Sequence, residues 1–260
     1  MEAGALGTET NALADGGQRV TAYFSDKIDE DVVRAMLFEA FQLYDLSPIV
    51  PPQLEVRKVA NRDWLAEWKK GWQPVEVGQR FLIAPPWSEI PDAHDRLVIR
   101  IEPGMAFGTG THETTRLCLV AIEKYFHGGT FVDVGTGTGI LAIAAAKLHP
   151  GSQIGACDTD AEAVAIARDN ARLNYVAESI SFSVGTVAAT TASADCVCAN
   201  LTADTILPLL PALLSATCGR LILSGILVEQ TDSIRLRLEE LGIHSGYEVV
   251  TEGEWAAFII

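Results

Sequence analysis

Glycine and threonine alternate twice in this chain, first in AFGTGTH (106–112) and again in DVGTGTG (133–139). Glycine lets a backbone turn at positive φ and approach a ligand with no Cβ in the way. The second run lies between a short apolar strand, TFVDV, and an apolar helix, GILAIAAAKL. Gly135 and Gly137 therefore form a tight strand-to-helix turn, and Gly139 lets the helix pack on the strand. The first amides of that helix point at whatever lies beyond the strand end. Asp158 closes the next strand, IGACD, where a carboxylate can accept from both hydroxyls of a ribose. The combination indicates a nucleoside-containing ligand without choosing among them. Asp158 and Asp160 both precede the helical run AEAVAIA, so an N-cap is the competing role for Asp158.

These residues need a scaffold, and the pattern supplies one. From Arg96 onward strand-like and helix-like runs alternate: RLVIRI, then TTRLCLVAIEKYF with Cys118, Ala121, Ile122 and Tyr125 at helical spacing. TFVDV, QIGACD, SISFSV, DCVCAN and GRLILSGI read as strands, separated by helices; TILPLLPALL is a helix interrupted by Pro208 and Pro211. HSGYEVVTEGEWAAFII reads as a closing hairpin. Such alternation implies a mostly parallel sheet with helices on both faces, made mixed at one edge by the hairpin. Upstream, RVTAYF alternates like a strand, DEDVVRAMLFEAFQLY like a helix with an acidic first turn, and QLEVRKV (53–59) like a second strand. NRDWLAEWKKGW reads as a short helix with Asn61 as N-cap, placing Trp64, Trp68 and Trp72 in one stripe.

The 260 residues allow one large or two unequal domains. A net charge of −15 repels phosphate backbones, so nucleic acid is not an expected partner, whereas a basic protein would be attracted. No apolar run approaches the ~18 residues of a membrane helix, and no basic n-region follows Met1. The five cysteines include no C-x-x-C pair, which favours buried, reduced thiols and a cytoplasmic location over disulfides or a metal site. A monomer is expected.

Two features go further. The pattern Asp133-x-Gly135-x-Gly137-x-Gly139 brings the third glycine one place earlier than a nicotinamide-binding turn does, and it resembles motif I of class I S-adenosylmethionine-dependent methyltransferases. The run EPGMAFGTGTHETTRLCL resembles the signature of the ribosomal protein L-eleven methyltransferase family, and DWLAEWKKGWQPVEVGQRFLIAPPW, CANLTADTILPLLPAL, LILSGIL and EGEWAAFII are similar to other family stretches. The resemblance covers residues 19 to 260. It implies a class I Rossmann-like α/β fold with a mixed seven-stranded sheet, preceded by a small, partial ferredoxin-like α+β domain. The implied division is 1–60 for substrate recognition, 61–88 for a connector, and 89–260 for catalysis.

The resemblance also implies roles. The cofactor is S-adenosyl-L-methionine, held by Asp133, Gly135, Gly137, Gly139 and Asp158. Phe107, Thr109 and Thr111 cover its methionine end, and Thr111 is also placed to cap the helix that follows. Asn200 and Leu201 correspond to the motif that aims the acceptor amine, with Asn200 also next to the cofactor; capping the next turn is the alternative for Asn200. The implied substrate is a basic large-subunit ribosomal protein, methylated on lysine side chains or an α-amine. His112 is expected to anchor its loop rather than act as a base.

The chain departs from the family at its start. MEAGALGTET resembles the end of the family's first helix and the strand after it, so the preceding strand and most of that helix are expected either to lie upstream of Met1 or to be absent from a shortened substrate domain. On this basis Met1 to Gln18 is expected to be poorly ordered. Competing readings are a Rossmann dehydrogenase, which leaves FGTGTH unexplained, a small-molecule amine methyltransferase, and a non-catalytic S-adenosylmethionine-binding protein.

Overall fold

The computed structural model describes residues 7–12, 18–24, 29–43, 54–56, 72–90, 93–102, 108, 110–188 and 191–260. The chain divides into two units, Met1–Trp64 and Leu65–Ile260.

In the first unit β1 (Gly7–Ala12) and β2 (Gln18–Tyr23) form an antiparallel pair, and α1 (Glu30–Leu43) follows. The expected strand and helix are present. The β1 segment, expected to lack order, pairs along its whole length with β2, from Gly7 opposite Tyr23 to Ala12 opposite Gln18. Glu30 and Asp31 lie in the first turn of α1, where the helix dipole favours them, and Asp29 Oδ1 accepts from Asp31 N at 2.9 Å. Most of 53–59 and the helix bearing Trp64 and Trp68 lie outside the described residues.

The second unit begins with a three-stranded sheet: β3 (Val75–Val77), β4 (Phe81–Ala84) and β5 (Leu97–Arg100). β3 and β4 are antiparallel, β4 and β5 parallel. The strands of this sheet lie on both sides of the boundary between 88 and 89 at which the sequence reading starts the catalytic domain. The fully buried run FLIA of β4 explains its continuous apolarity.

Seven strands build the main sheet in the order β11-β12-β10-β9-β6-β7-β8. They are β6 (Thr130–Val134), β7 (Gln153–Asp158), β8 (Ile180–Val184), β9 (Ala194–Asn200), β10 (Thr217–Leu227), β11 (Glu248–Glu252) and β12 (Trp255–Ile259). Strands β6 to β10 are parallel, and β12 is antiparallel to both β10 and β11, which makes the sheet mixed at that edge. The connecting helices are α2 (Glu113–Tyr125), α3 (Ile140–Leu148), α4 (Ala161–Leu173), α5 (Ala203–Ser215) and α6 (Thr231–Glu240).

Both faces of the sheet are covered, and β9 shows how. Cys196 and Cys198 face the cluster built with α2 and α3; Val197 and Ala199 face the one built with α5 and α6. The cysteines are free thiols, and burial pushes Cys196 up to about 12, so it packs as a small apolar side chain. Helix α3 is buried from Ile140 through Ala146, as its apolar sequence requires. Helix α5 is not interrupted: Pro208 and Pro211 sit on its exposed side within one continuous helix.

Strand order reverses between β6 and β9. The crevice beyond their carboxyl ends is where open α/β sheets take ligands. Val134-Gly135 and Asn200-Leu201 both end there.

Candidate active site

The turn after β6 is held from behind. Gly135 N and Thr136 N both donate to Cys157 O, at 2.8 and 3.0 Å, and Gly139 N donates to Thr136 O at 2.8 Å. Gly135, Gly137 and Gly139 have φ of 73°, 53° and 82°, a region that costs any residue with a Cβ. Gly139 packs against helix α4 rather than the strand: a Cβ there would stand 3.0 Å from Ala167 Cβ and 3.1 Å from Ala167 Cα. A Cβ on Gly135 would stand 2.3 Å from Leu201 Cδ2, so the Leu201 side chain lies directly over the glycine turn.

Asp133 is turned inward. Its Oδ2 accepts from Thr136 Oγ1 at 2.6 Å and from Ala142 N at 3.2 Å. Its Oδ1 is buried with no hydrogen-bond partner among the described residues. Burial raises the carboxyl from 3.8 to about 6, the two hydrogen bonds oppose the rise, and the charge of Asp158 adds to it. Asp133 thus braces the turn from beneath.

Asp158 stands at the end of β7 and faces the crevice. Its Oδ2 accepts from Gly137 N and its Oδ1 from Asp160 N, both at 3.0 Å. Asp160, not Asp158, caps helix α4, accepting from Glu162 N at 2.8 Å. Each Asp158 oxygen keeps a further lone-pair direction for a ligand hydroxyl.

The two glycine-threonine runs meet. Thr138 Oγ1 donates to Gly108 O at 2.6 Å. Asn170 of α4 joins them, its Nδ2 donating to Thr138 O at 2.9 Å and its Oδ1 accepting from Glu102 N at 3.1 Å. Phe107 and Thr109 lie outside the described residues. Thr111 is exposed and does not cap the next helix; His112 does, its Nδ1 accepting from Thr114 N at 3.3 Å, while Thr111 O accepts from Arg116 at 2.7 Å.

Asn200 ends β9 opposite Ser224 of β10, and Leu201 N donates to Ser224 O at 3.0 Å. The Asn200 Nδ2 donates to Thr114 Oγ1 at 3.3 Å, with Thr115 Oγ1 at 3.5 Å. The Asn200 Oδ1 is buried and has no partner among the described residues. Gly225, at φ 85°, makes room for this corner: a Cβ would stand 2.4 Å from Leu201 O and 3.1 Å from Asn200 Oδ1.

These groups line one cleft of about 850 Å³. Gly135, Gly137, Asp158, Asn200 and Leu201 lie on its wall; Asp133 and Gly139 lie beneath it. Its size suits a cofactor together with an acceptor side chain. Sequence reasoning did not find Thr114, Gly225 or Trp255, which also line it. Gly225 had a signal, a glycine inside an apolar strand, and it stands in the register shift between Leu223 and Ile226. Trp255 meets the His112 ring edge-on at 5.1 Å.

A seven-stranded sheet with one antiparallel strand next to its edge, a glycine turn after its first strand and a carboxylate ending the second define the class I S-adenosylmethionine-dependent methyltransferases. Comparison with known proteins narrows this. Residues 4–260 match the family model for ribosomal protein L11 methyltransferase, and the chain belongs to that family. The ribosomal protein L11 methyltransferase of Pelobacter propionicus is 38% identical over 92% of this chain and 80% of its own length. That of Pelotomaculum thermopropionicum is 39% identical over 95% of this chain and 80% of its own. The crystal structure of ribosomal protein L11 methylase from Lactobacillus delbrueckii subsp. bulgaricus is similar with a TM-score of 0.64 at 31% identity, covering 72% of this chain and 96% of that one. The chain is an S-adenosylmethionine-dependent methyltransferase. Among the described residues no helix is long and apolar enough to cross a membrane.

Proposed function

We propose that this chain transfers methyl groups from S-adenosylmethionine to amino groups, lysine side chains or an α-amine, of ribosomal protein L11. The observation that carries this reading is the Asn200 carboxamide. Its oxygen is a buried acceptor with no donor among the described residues, on a side chain at the carboxyl end of β9 that lines the cleft. An acceptor left unpaired in that position is suited to the N–H of an incoming amine.

The residues present fit the cofactor. Asp158 offers acceptors to the ribose hydroxyls, Gly135 and Gly137 keep the turn free of Cβ atoms, and the cleft has room for a nucleoside and an amino acid moiety. Asp133 and Gly139 keep the turn in shape from beneath. Phe107, Thr109 and Thr111 belong to the loop assigned to the methionine end. When bound, S-adenosylmethionine supplies a methyl group on a sulfonium, open to in-line attack by a neutral amine.

The chain's own part is positioning. Asn200 Oδ1, with a backbone carbonyl of the Asn200-Leu201 corner, accepts the amine hydrogens and aims the lone pair. Deprotonating a lysine of pKa ~10.4 at pH ~7.5 costs roughly 4 kcal/mol, and an α-amine under about 1 kcal/mol. A neighbouring positive charge disfavours the protonated amine and lowers that cost. His112 commits its Nδ1 to Thr114 and so anchors the loop rather than taking the proton. Residues 1–60 recognise the substrate, 61–88 connect and 89–260 carry the chemistry. A net charge of −15 draws in a basic ribosomal protein in the cytoplasm, with the enzyme acting as a monomer without touching nucleic acid.

The test is transfer of labelled methyl from S-adenosylmethionine to purified L11, read by mass spectrometry of its peptides. Label is expected on L11 amines and not on free small amines. Label on small amines alone, or on neither, overturns the assignment.

A further inference from the structure

We propose that Thr114 is a positioning residue that sets the polarity of the Asn200 carboxamide. The inference rests on the amine-aiming role given to Asn200 above. A primary carboxamide has two ends of nearly equal size and opposite sense: the oxygen accepts, the nitrogen donates. Turned by half a rotation it fills the same space and presents N–H groups to the amine, which then has nothing to donate to. Its surroundings must therefore select one of the two orientations.

Thr114 supplies the selection. Its Oγ1 stands 2.9 Å from His112 Nδ1 and 3.3 Å from Asn200 Nδ2. The same His112 nitrogen accepts from Thr114 N at 3.3 Å. A ring nitrogen that accepts from a backbone amide carries a lone pair and has no hydrogen to give. With the ring proton on Nε2, the tautomer in which Nδ1 accepts from Thr114 N, the Thr114 hydroxyl hydrogen is directed at His112 and only its lone pairs face Asn200. A carboxamide meeting lone pairs turns its NH₂ toward them. Thr115 Oγ1 lies 3.5 Å from the same nitrogen. The oxygen is thereby left on the other side, buried and without a partner among the described residues.

The chain of bonds is held at both ends. Thr114 is 1% exposed, and its carbonyl accepts at 3.2 Å from the hydroxyl of Ser224, itself fully buried and paired with Asn200 across β9 and β10. Trp255 steadies the His112 ring from its edge. The first turn of α2 thus dictates which end of the Asn200 carboxamide is left unpaired.

A double-mutant cycle on the full chain tests this, with L11 as acceptor. Thr114→Val keeps the shape and removes the hydroxyl; it should lower kcat roughly 10- to 100-fold through misorientation, with S-adenosylmethionine affinity unchanged. Thr114→Ser should restore most of the rate. In an Asn200→Ala background Thr114→Val should cost nothing further, because it acts through the missing carboxamide. An equal loss in both backgrounds, or no rescue by serine, overturns the proposal. A second readout does not depend on turnover: exchange of the Asn200 side-chain amide protons, followed by NMR. They should exchange slowly in the parent and quickly in Thr114→Val. Equal exchange overturns the proposal even if the parent fails to methylate L11, and that failure by itself counts against the functional reading alone.

Discussion

Replacing Asp133 with asparagine should remove a steep pH dependence from the stability of the protein. The carboxyl is fully buried, and burial raises it from 3.8 to about 6. An acid with a raised folded-state pKa holds its proton more tightly folded than unfolded. Its contribution to stability is therefore full below 3.8 and is lost as pH rises through about 6. A shift of about 2 units at 1.36 kcal/mol each makes that loss about 3 kcal/mol. Asparagine keeps an oxygen for the Thr136 hydroxyl and the Ala142 amide and does not ionise. The quantity to measure is the unfolding free energy of the parent minus that of Asp133→Asn, from urea titrations at steps between pH ~4 and ~7. Taking the difference cancels the other carboxylates, which both proteins share. It should fall by about 2 kcal/mol across that window, the remainder of the loss lying below pH ~4 and above pH ~7. A difference that stays constant with pH would show that Asp133 ionises as freely in the folded protein as in the unfolded chain, and the burial argument would fail.

Two further outcomes follow from the same turn. Asp158→Ala should weaken S-adenosylmethionine binding by at least about 1.5 kcal/mol in calorimetry, since the ribose acceptors and the Gly137 anchor are lost together; unchanged affinity would remove Asp158 from the site. Gly139→Ala places a Cβ at positive φ against the backbone of Ala167, which cannot yield as a flexible side chain would. It should destabilise the fold by about 2–5 kcal/mol in urea unfolding, and a loss below about 0.5 kcal/mol would show that α3 and α4 separate freely.

The strand-helix alternation from Arg96 onward was legible because each element carries its own period, and β9 was legible as a strand because both of its faces are apolar. β1 was not. Its sequence, GTETNA, has no apolar alternation, and its strand geometry comes from pairing with β2. β4 read as the end of a linker because a four-residue buried run carries no period of its own; its place comes from β5, more than ten residues downstream. Pro208 and Pro211 signalled a break that did not occur, since both lie on the exposed side of α5. In the site, the glycine turn, Asp158 and the Asn200-Leu201 corner stood out by residue type. Thr114 did not, because its meaning depends on a partner 86 positions away in the chain. The cap of α2 was assigned one residue early: Thr111 is the better capping type, but the His112 ring is the group that reaches the Thr114 amide.

The most direct test of the account separates binding from transfer at Asn200. Asn200→Ala should bind S-adenosylmethionine within a few-fold of the parent in calorimetry. It should lose methyl transfer to ribosomal protein L11 by roughly 100-fold or more, because the acceptor that aims the amine is gone. Transfer per bound cofactor that stays at the parent's level while cofactor affinity collapses would make Asn200 a cofactor-holding residue and contradict the central claim.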